Sequence, residues 1–339
     1  MAAQAREEGV LPKELEQKRQ KGPRYVRRAC GKGVELRLSA AEASQGSLLL
    51  AEVRSAGPLE QVKGEWDGHA IPFWQESATQ GGEKGHASTY KAFLGVDLER
   101  PAGKYEFASA AETRNGERVS CRGVVTVKTG RFATERLQVG KEFVEPSPEQ
   151  LARAEEERQR LRGIFASATP ERLWEGSFQA PLAGVKTGSN FGRRRILNGQ
   201  PGSPHGGADF PAATGTPVHA AQRGRVVLAE ALFFAGNTVV IDHGLGLYTF
   251  YGHLESVSVS AGEVVEAGAV VGRVGATGRV TGPHLHWGLT VNQARVNPLE
   301  VVRLLGGRQA RVSSREGGPP STAPRTSSVR RYTGRGQVW

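Results

Sequence analysis

The stretch GPHLHWGLT, residues 282–290, places His284 and His286 on either side of Leu285, amid glycines and strand-forming residues. In a β-strand, side chains two positions apart share one face. The two imidazoles then stand side by side, while Leu285 and Trp287 point the other way; Trp287 is read as core rather than as a substrate platform. Paired imidazoles make a poor apolar core and a good start on a metal site. Backbone carbonyls can also satisfy such a pair, so companions elsewhere in the chain decide between the two readings.

At 339 residues the chain has room for two compact domains plus tails. A hydrophobic fraction of 38% and a charged fraction of 23% fit a globular protein. Forty-five glycines with only 7% aromatics predict tight turns and short strands. The net charge of +11 favours polyanionic partners: nucleic acid, anionic lipid or an anionic cell envelope. Part of that excess lies after Gly307, where Arg308, Arg311, Arg315, Arg325, Arg330, Arg331 and Arg335 face the lone Glu316. Cys30 and Cys121 form no C-x-x-C pair and cannot ligate a structural zinc by themselves. They could bridge in an oxidising compartment, and the sequence leaves this open. No apolar stretch reaches the 18 residues of a spanning helix, so no transmembrane segment is expected. The charged start, MAAQAREEGVLPKELEQKRQKG, lacks the apolar centre of a secretory signal.

The chain divides by pattern into five parts. Residues 1–40 are a polar, basic segment with at most a short helix around Pro12 to Lys21. Residues 41–130 carry short strand-like runs, with Asp67-Gly68 and Asn115-Gly116 as hairpin signals between them. They predict a small antiparallel β-sandwich. His69 and His86 lie near its turns without acidic or thiol companions and are read as structural. Residues 131–175 are a linker with a short helix, capped by Ser147, started by Pro148 and closed as a capping box by Gln150. Its charge pattern predicts a solvated helix. Residues 176–303 are again rich in strands and glycine. Residues 304–339, low in apolar content, are expected to be a disordered basic tail. The class is mainly β.

Companions to the histidine pair lie in the 176–303 domain, which holds six of the eight histidines: His205, His219, His243, His253, His284 and His286. In PHGGADF, His205 and Asp209 lie four apart with Gly206 and Gly207 between them, and Pro204 precedes them, which predicts a loop running into a strand. YGHLES adds His253 in a further strand. Such a set suits zinc, which in catalytic sites takes three protein ligands and keeps a fourth position for water. The metal lowers the pKa of that water to about 7 and polarises a carbonyl. Two further imidazoles can carry a proton from water to a departing amine.

From about Pro181 to Pro298 the chain resembles the lysostaphin/LytM-type zinc metalloendopeptidases, whose mark is H-x-x-x-D with a distant H-x-H. The segments FGRRR (191–195), HGGADF, GTPVHAA (215–221), NTVVIDHGLGLYTFYGHL (237–254) and GATGRVTGPHLHWGL (275–289) occur in family order and spacing. The resemblance implies that His205, Asp209 and His286 bind one Zn2+. It implies His284 as general base, and His253 as stabiliser of the bound water and developing oxyanion. It also implies a compact antiparallel β peptidase domain and peptidoglycan peptides as substrate, in cross-links or stem peptides. The expected location is therefore periplasmic or extracellular, with the chain read as an exported mature region. Contact with anionic envelope polymers fits the charge. Oligomeric state is left open. His243 is read as a turn residue satisfied by backbone, His219 as an incidental strand residue, and Arg193 to Arg195 as contacts to an acidic stem peptide or a solvated loop. Some relatives lose ligands and activate other wall hydrolases; here all five positions are present. The sugar-phosphotransferase carrier domains have a related fold with paired histidines but no metal, and the H-x-x-x-D pair argues against them. No H-E-x-x-H helix, G-x-S-x-G elbow or phosphate loop occurs. No aromatic-basic motif or reading helix supports a nucleic-acid partner, and none is expected.

Overall fold

In the computed structural model, which describes residues 25–76, 88–185 and 190–305, runs of alternating polarity form antiparallel strands. Arg118–Lys128 alternates exposed and buried residues along most of its length, as a strand with one wet face should. Two five-stranded sheets build the N-terminal half. One runs Val26–Gly31, Val34–Leu38, Leu48–Ser55, Ser88–Gly95, Trp74–Glu76; the other runs Glu42–Ser44, Arg118–Lys128, Gly103–Thr113, Leu59–Trp66, His69–Ile71. Leu36, Val53 and Leu94 of the first sheet meet Phe107 and Val125 of the second in a buried cluster, so the expected sandwich is present.

The hairpin signals act as read. Trp66 pairs with His69 across Asp67 and Gly68, whose φ values are 58° and 76°. A two-residue turn with both central φ positive matches the right-handed twist of its strands. The sandwich starts earlier than residue 41. Its first strand, Val26–Gly31, is exposed at nearly every position. VRRACG therefore carries no alternation and reads as a polar lead-in. Cys30 in this strand is bridged to Cys121 in the opposing sheet, with Cα atoms 5.4 Å apart. The expected Pro12–Lys21 helix, His86 and all but the first two residues of the 304–339 tail lie outside the described residues.

The linker helix spans Pro148–Ala166, and both capping-box bonds form: Gln150 N–H donates to Ser147 Oγ, and Ser147 N–H to Gln150 Oε1. It is less solvated than its charges suggest. Leu161, Ile164 and Phe165 pack against Leu228, Leu232 and Tyr248, and buried Glu157 accepts from Phe233 N–H at 2.8 Å. Glu157 also pairs with Arg153 four residues back. One charged turn of the helix is thus a docking contact.

The C-terminal half is a nine-stranded sheet whose main path runs Gly207–Pro211, His284–Val291, Leu247–Val257, Gly236–Asp242, Gly224–Leu232, Val264–Val265. Trp287 is fully buried in it, as strand alternation predicts. The core of this half does not stop at the linker. The Trp74 and Phe93 rings of the sandwich pack tilted with centroids 4.8 Å apart, and Trp174 packs on both, at 5.5 and 5.9 Å. Leu48 and Leu50 join the same cluster as Phe178, Val291, Val296 and Leu299. Arg295 adds a two-pronged ion pair to Asp97. The two halves that the sequence separates by pattern share one interior, and all described residues fall within one compact unit. Among the described residues no helix is long and apolar enough to cross a membrane.

The Cys30–Cys121 bridge closes a loop of 91 residues. Cys30→Ser with Cys121→Ser is expected to cost about 2–5 kcal/mol, read as a lower urea midpoint against the oxidised protein.

Candidate metal centre

Register builds the centre. Gly207–Pro211 and His284–Val291 pair antiparallel with Asp209 directly opposite His286. Side chains at paired positions stand on one face about 5 Å apart at Cβ, so the carboxylate and the imidazole meet by cross-strand pairing alone. His205 comes from the loop before the strand, held where its N–H donates to Arg193 O and its carbonyl accepts from Gly192 N–H. A Cβ on Gly207 would lie 2.5 Å from Trp287 O and 2.7 Å from the His286 ring, so only glycine lets the two strands close here.

The three side chains converge on one point. His205 Nε2, Asp209 Oδ1 and His286 Nδ1 form a triangle with edges of 2.9, 3.0 and 3.0 Å. His205 Nδ1 faces Asn190 O at 2.9 Å. A carbonyl only accepts, so Nδ1 carries the proton and Nε2 presents a bare lone pair. A lone pair and a carboxylate oxygen turned toward one another favour a cation between them. Ligands held at about 2.0–2.1 Å around a tetrahedral ion would stand roughly 3.3 Å apart, close to the edges observed. Among the described residues this is the group of His, Asp, Glu and Cys side chains that could hold a metal ion.

Asn190 ties the set together and was not anticipated. Its amide Nδ2–H donates to Asp209 Oδ2 at 2.8 Å, its Oδ1 accepts from Asp209 N–H at 3.0 Å, and its carbonyl orients His205. Nothing in a lone asparagine 15 residues before His205 signals this in sequence. Burial works against the Asp209 charge, yet its contacts with the His205 and His286 imidazoles hold its carboxyl well below the usual range. Burial pushes the His286 imidazole down to about 4, so it stays neutral near pH 7.

His284 and His253 stand beside the triad. His284 Nε2 lies 3.8 Å from Asp209 Oδ1, and its Nδ1 faces Gly282 O at 2.8 Å. The His253 ring lies 4.9 Å from His284 and 5.8 Å from His286, with Nδ1 on Thr277 O at 2.9 Å. Both Nδ1 atoms therefore carry the proton, leaving both Nε2 atoms as acceptors. Burial takes His253 down to about 3. His253 has φ of 62° at an irregularity in its strand. A left-handed non-glycine residue costs of order 1–3 kcal/mol and persists only where its surroundings impose it. The loop Thr277 contributes is itself locked, since a Cβ on Gly236 would lie 2.2 Å from Thr277 Oγ1.

The five positions expected from sequence thus come together. Those set aside stay apart. His243 is buried between Arg223 O and Thr249 Oγ1, at 2.8 and 2.7 Å, and His219 meets Gly268 O in a short strand.

Residues 203–298 match the model of peptidase family M23. The chain is also 35% identical to the catalytic domain of lysostaphin from Staphylococcus simulans over 32% of this chain and 81% of that one, with a TM-score of 0.29. Residues 203–298 are a peptidase family M23 domain. Peptidoglycan DD-endopeptidase ShyA of Vibrio cholerae is 43% identical over 113 residues, which is 33% of this chain and 26% of ShyA. A crystallised protein of Pseudomonas aeruginosa assigned to peptidase M23 aligns with a TM-score of 0.54 at 26% identity, over 75% of this chain and 93% of that one. The M23 match leaves the sandwich outside it, whereas the Pseudomonas alignment is too long to exclude it. The present chain spans about a quarter of the length of ShyA, and 32% of the related ShyC.

Two outcomes follow for the M23 domain. Removing a partner that orients ligands typically weakens metal binding about 10–100-fold. Asn190→Ala is expected to do so in a chelator competition, and an affinity within twofold of wild type would contradict the role given to Asn190. Burial lowers His243 from 6.5 to about 4. The unfolded chain then binds the extra proton between those values, so this stabilisation is full above about pH 6.5 and is lost as pH falls toward 4. The difference amounts to about 3 kcal/mol. His243→Gln should flatten that part of the pH dependence in urea unfolding measured at about pH 7 and pH 4.5.

Proposed function

We propose that this M23 chain is a zinc-dependent endopeptidase that hydrolyses peptide bonds in the cross-links or stem peptides of bacterial peptidoglycan. The reading is carried by the His205–Asp209–His286 triangle with two proton-accepting imidazoles beside it. His205 Nε2, Asp209 Oδ1 and His286 Nδ1 would hold one Zn2+; the donor set, two imidazoles and one carboxylate, is a catalytic zinc set. Such an ion acidifies water to near neutrality and polarises a carbonyl. His284 Nε2 takes the proton from the attacking water and returns it to the departing amine. Its Nδ1–H, fixed on Gly282 O, holds the ring at the angle the transfer needs. His253 Nε2 accepts from the same water and orients it. Asp209 stays ionised throughout, because Asn190 and Arg195 both hydrogen-bond its Oδ2.

Peptidoglycan as substrate is supported by the relatives named for acting on it, ShyA among them. Action on that substrate calls for a location in the periplasm or outside the cell. The Cys30–Cys121 bridge supports the same compartment, since such bridges persist where the surroundings oxidise thiols.

His286→Ala is expected to lose both bound zinc and hydrolysis. His284→Ala should keep zinc and slow about 10²–10⁴-fold. Metal analysis of the purified proteins, with mass spectrometry of digested peptidoglycan of defined cross-link type, reads both. An unchanged rate in His286→Ala would sink the assignment. A protein that binds zinc, cuts nothing and stimulates another wall hydrolase would instead be an activator.

A further inference from the structure

A cleft of about 270 Å³ opens beside the triad, lined by Glu135, by Arg195 and by the 279–284 segment that carries Arg279. The arginines near this cleft differ in what they meet. Arg193 donates to Glu135 Oε1 at 3.1 Å. Arg195 Nη2 lies 3.5 Å from Asp209 Oδ2, and its Nε lies 3.6 Å from Glu135 Oε2, too long for a hydrogen bond. That Nε is buried without a hydrogen-bond partner. Arg279 meets no carboxylate among the described residues; the charge acting on it is that of Arg195.

Arg279 is nonetheless held in place. Its guanidinium lies 4.6 Å over the Phe234 ring, and its backbone N–H donates to Phe234 O at 2.9 Å. Burial and the Arg195 charge together push its pKa below the ordinary value. Two guanidinium groups thus face one cleft with donors to spare and a mutual repulsion that an arriving anion relieves. A carboxylate fits that fork geometry in a way a neutral amide does not.

We infer that Arg279, seconded by Arg195, reads a free carboxylate of the substrate peptide beside the bond to be cut. This rests on the peptidase reading above. It makes Arg279 a specificity residue rather than a brace for Phe234, and it takes the acidic-peptide contact that the sequence suggests for 193–195 to a different loop.

The test uses the full zinc-loaded chain and three versions of one cross-linked peptide: all carboxylates free, the side-chain carboxylate amidated, or the chain-terminal carboxylate amidated. Wild type is expected to favour the free acid about 10- to 100-fold in kcat/KM over one amidated form, the usual worth of a charged hydrogen bond. Which amide is penalised identifies the carboxylate that is read. Arg279→Gln should slow only on peptides bearing that carboxylate, leaving the penalised amide within about threefold of wild type, and Arg279→Lys should recover part of the preference. Equal slowing on all three peptides would mark a structural brace and overturn the inference, as would wild type cutting all three equally. If no peptide is cut, the peptidase reading fails by itself, and affinities decide the subsite. Weaker binding of the free acid alone by Arg279→Gln sustains it, and equal binding by both proteins overturns it.

Discussion

The pairing of Asp209 with His286 across two antiparallel strands is the constraint on which the centre depends. Once those strands are in register, a carboxylate and an imidazole share one face without any further folding decision. A slip of one residue in the His284–Val291 strand would turn His286 to the core, away from Asp209, and bring Trp287 to the surface. The register is guarded from both sides. Trp287 and Phe210 fill the buried face in edge-to-face contact, and Gly207 admits no side chain where the backbone of Trp287 passes. Packing on one face therefore fixes the chemistry on the other.

The ligands are in turn oriented by groups from outside the sheet. Asn190 reaches Asp209 with its amide and His205 with its carbonyl. Arg195 sits between Asp209 and Glu135, and Glu135 arrives from Thr134–Leu137, a strand of the linker that pairs in parallel with Arg194–Leu197. The segment joining the two halves is thus a wall of the cleft and part of its charge balance. Glu135, brought by the linker, pairs with Arg193 and lies near Arg195, while Arg279 lines the cleft with no acidic partner among the described residues.

Much of this was legible in the residues. Alternation in GPHLHWGLT places the two imidazoles on one face and Trp287 in the core, and the Asp67-Gly68 turn and the Ser147–Gln150 box are local chemistry that needs no tertiary information. What escaped the sequence was set by contacts between distant segments. Val26–Gly31 is exposed nearly throughout, so no hydrophobic period marks it as a strand. Asn190 acts through three hydrogen bonds to residues 15 and 19 positions away, and an isolated asparagine in a loop carries no periodic or spacing signal. The helix looked solvated because Arg153 and Glu157 form an ordinary i,i+4 pair, yet that glutamate caps a backbone N–H of the neighbouring sheet.

The cluster of Trp74, Phe93 and Trp174 has a consequence for how such a chain can diversify. Its halves have separate sheets but a common interior, so neither can be exchanged for a homologous piece without rebuilding the aromatic contact surface of the other. Substitutions at this seam are expected to be inherited in concert. Lineages that keep the hydrolytic half while replacing its companion must first lose or resurface that trio of rings.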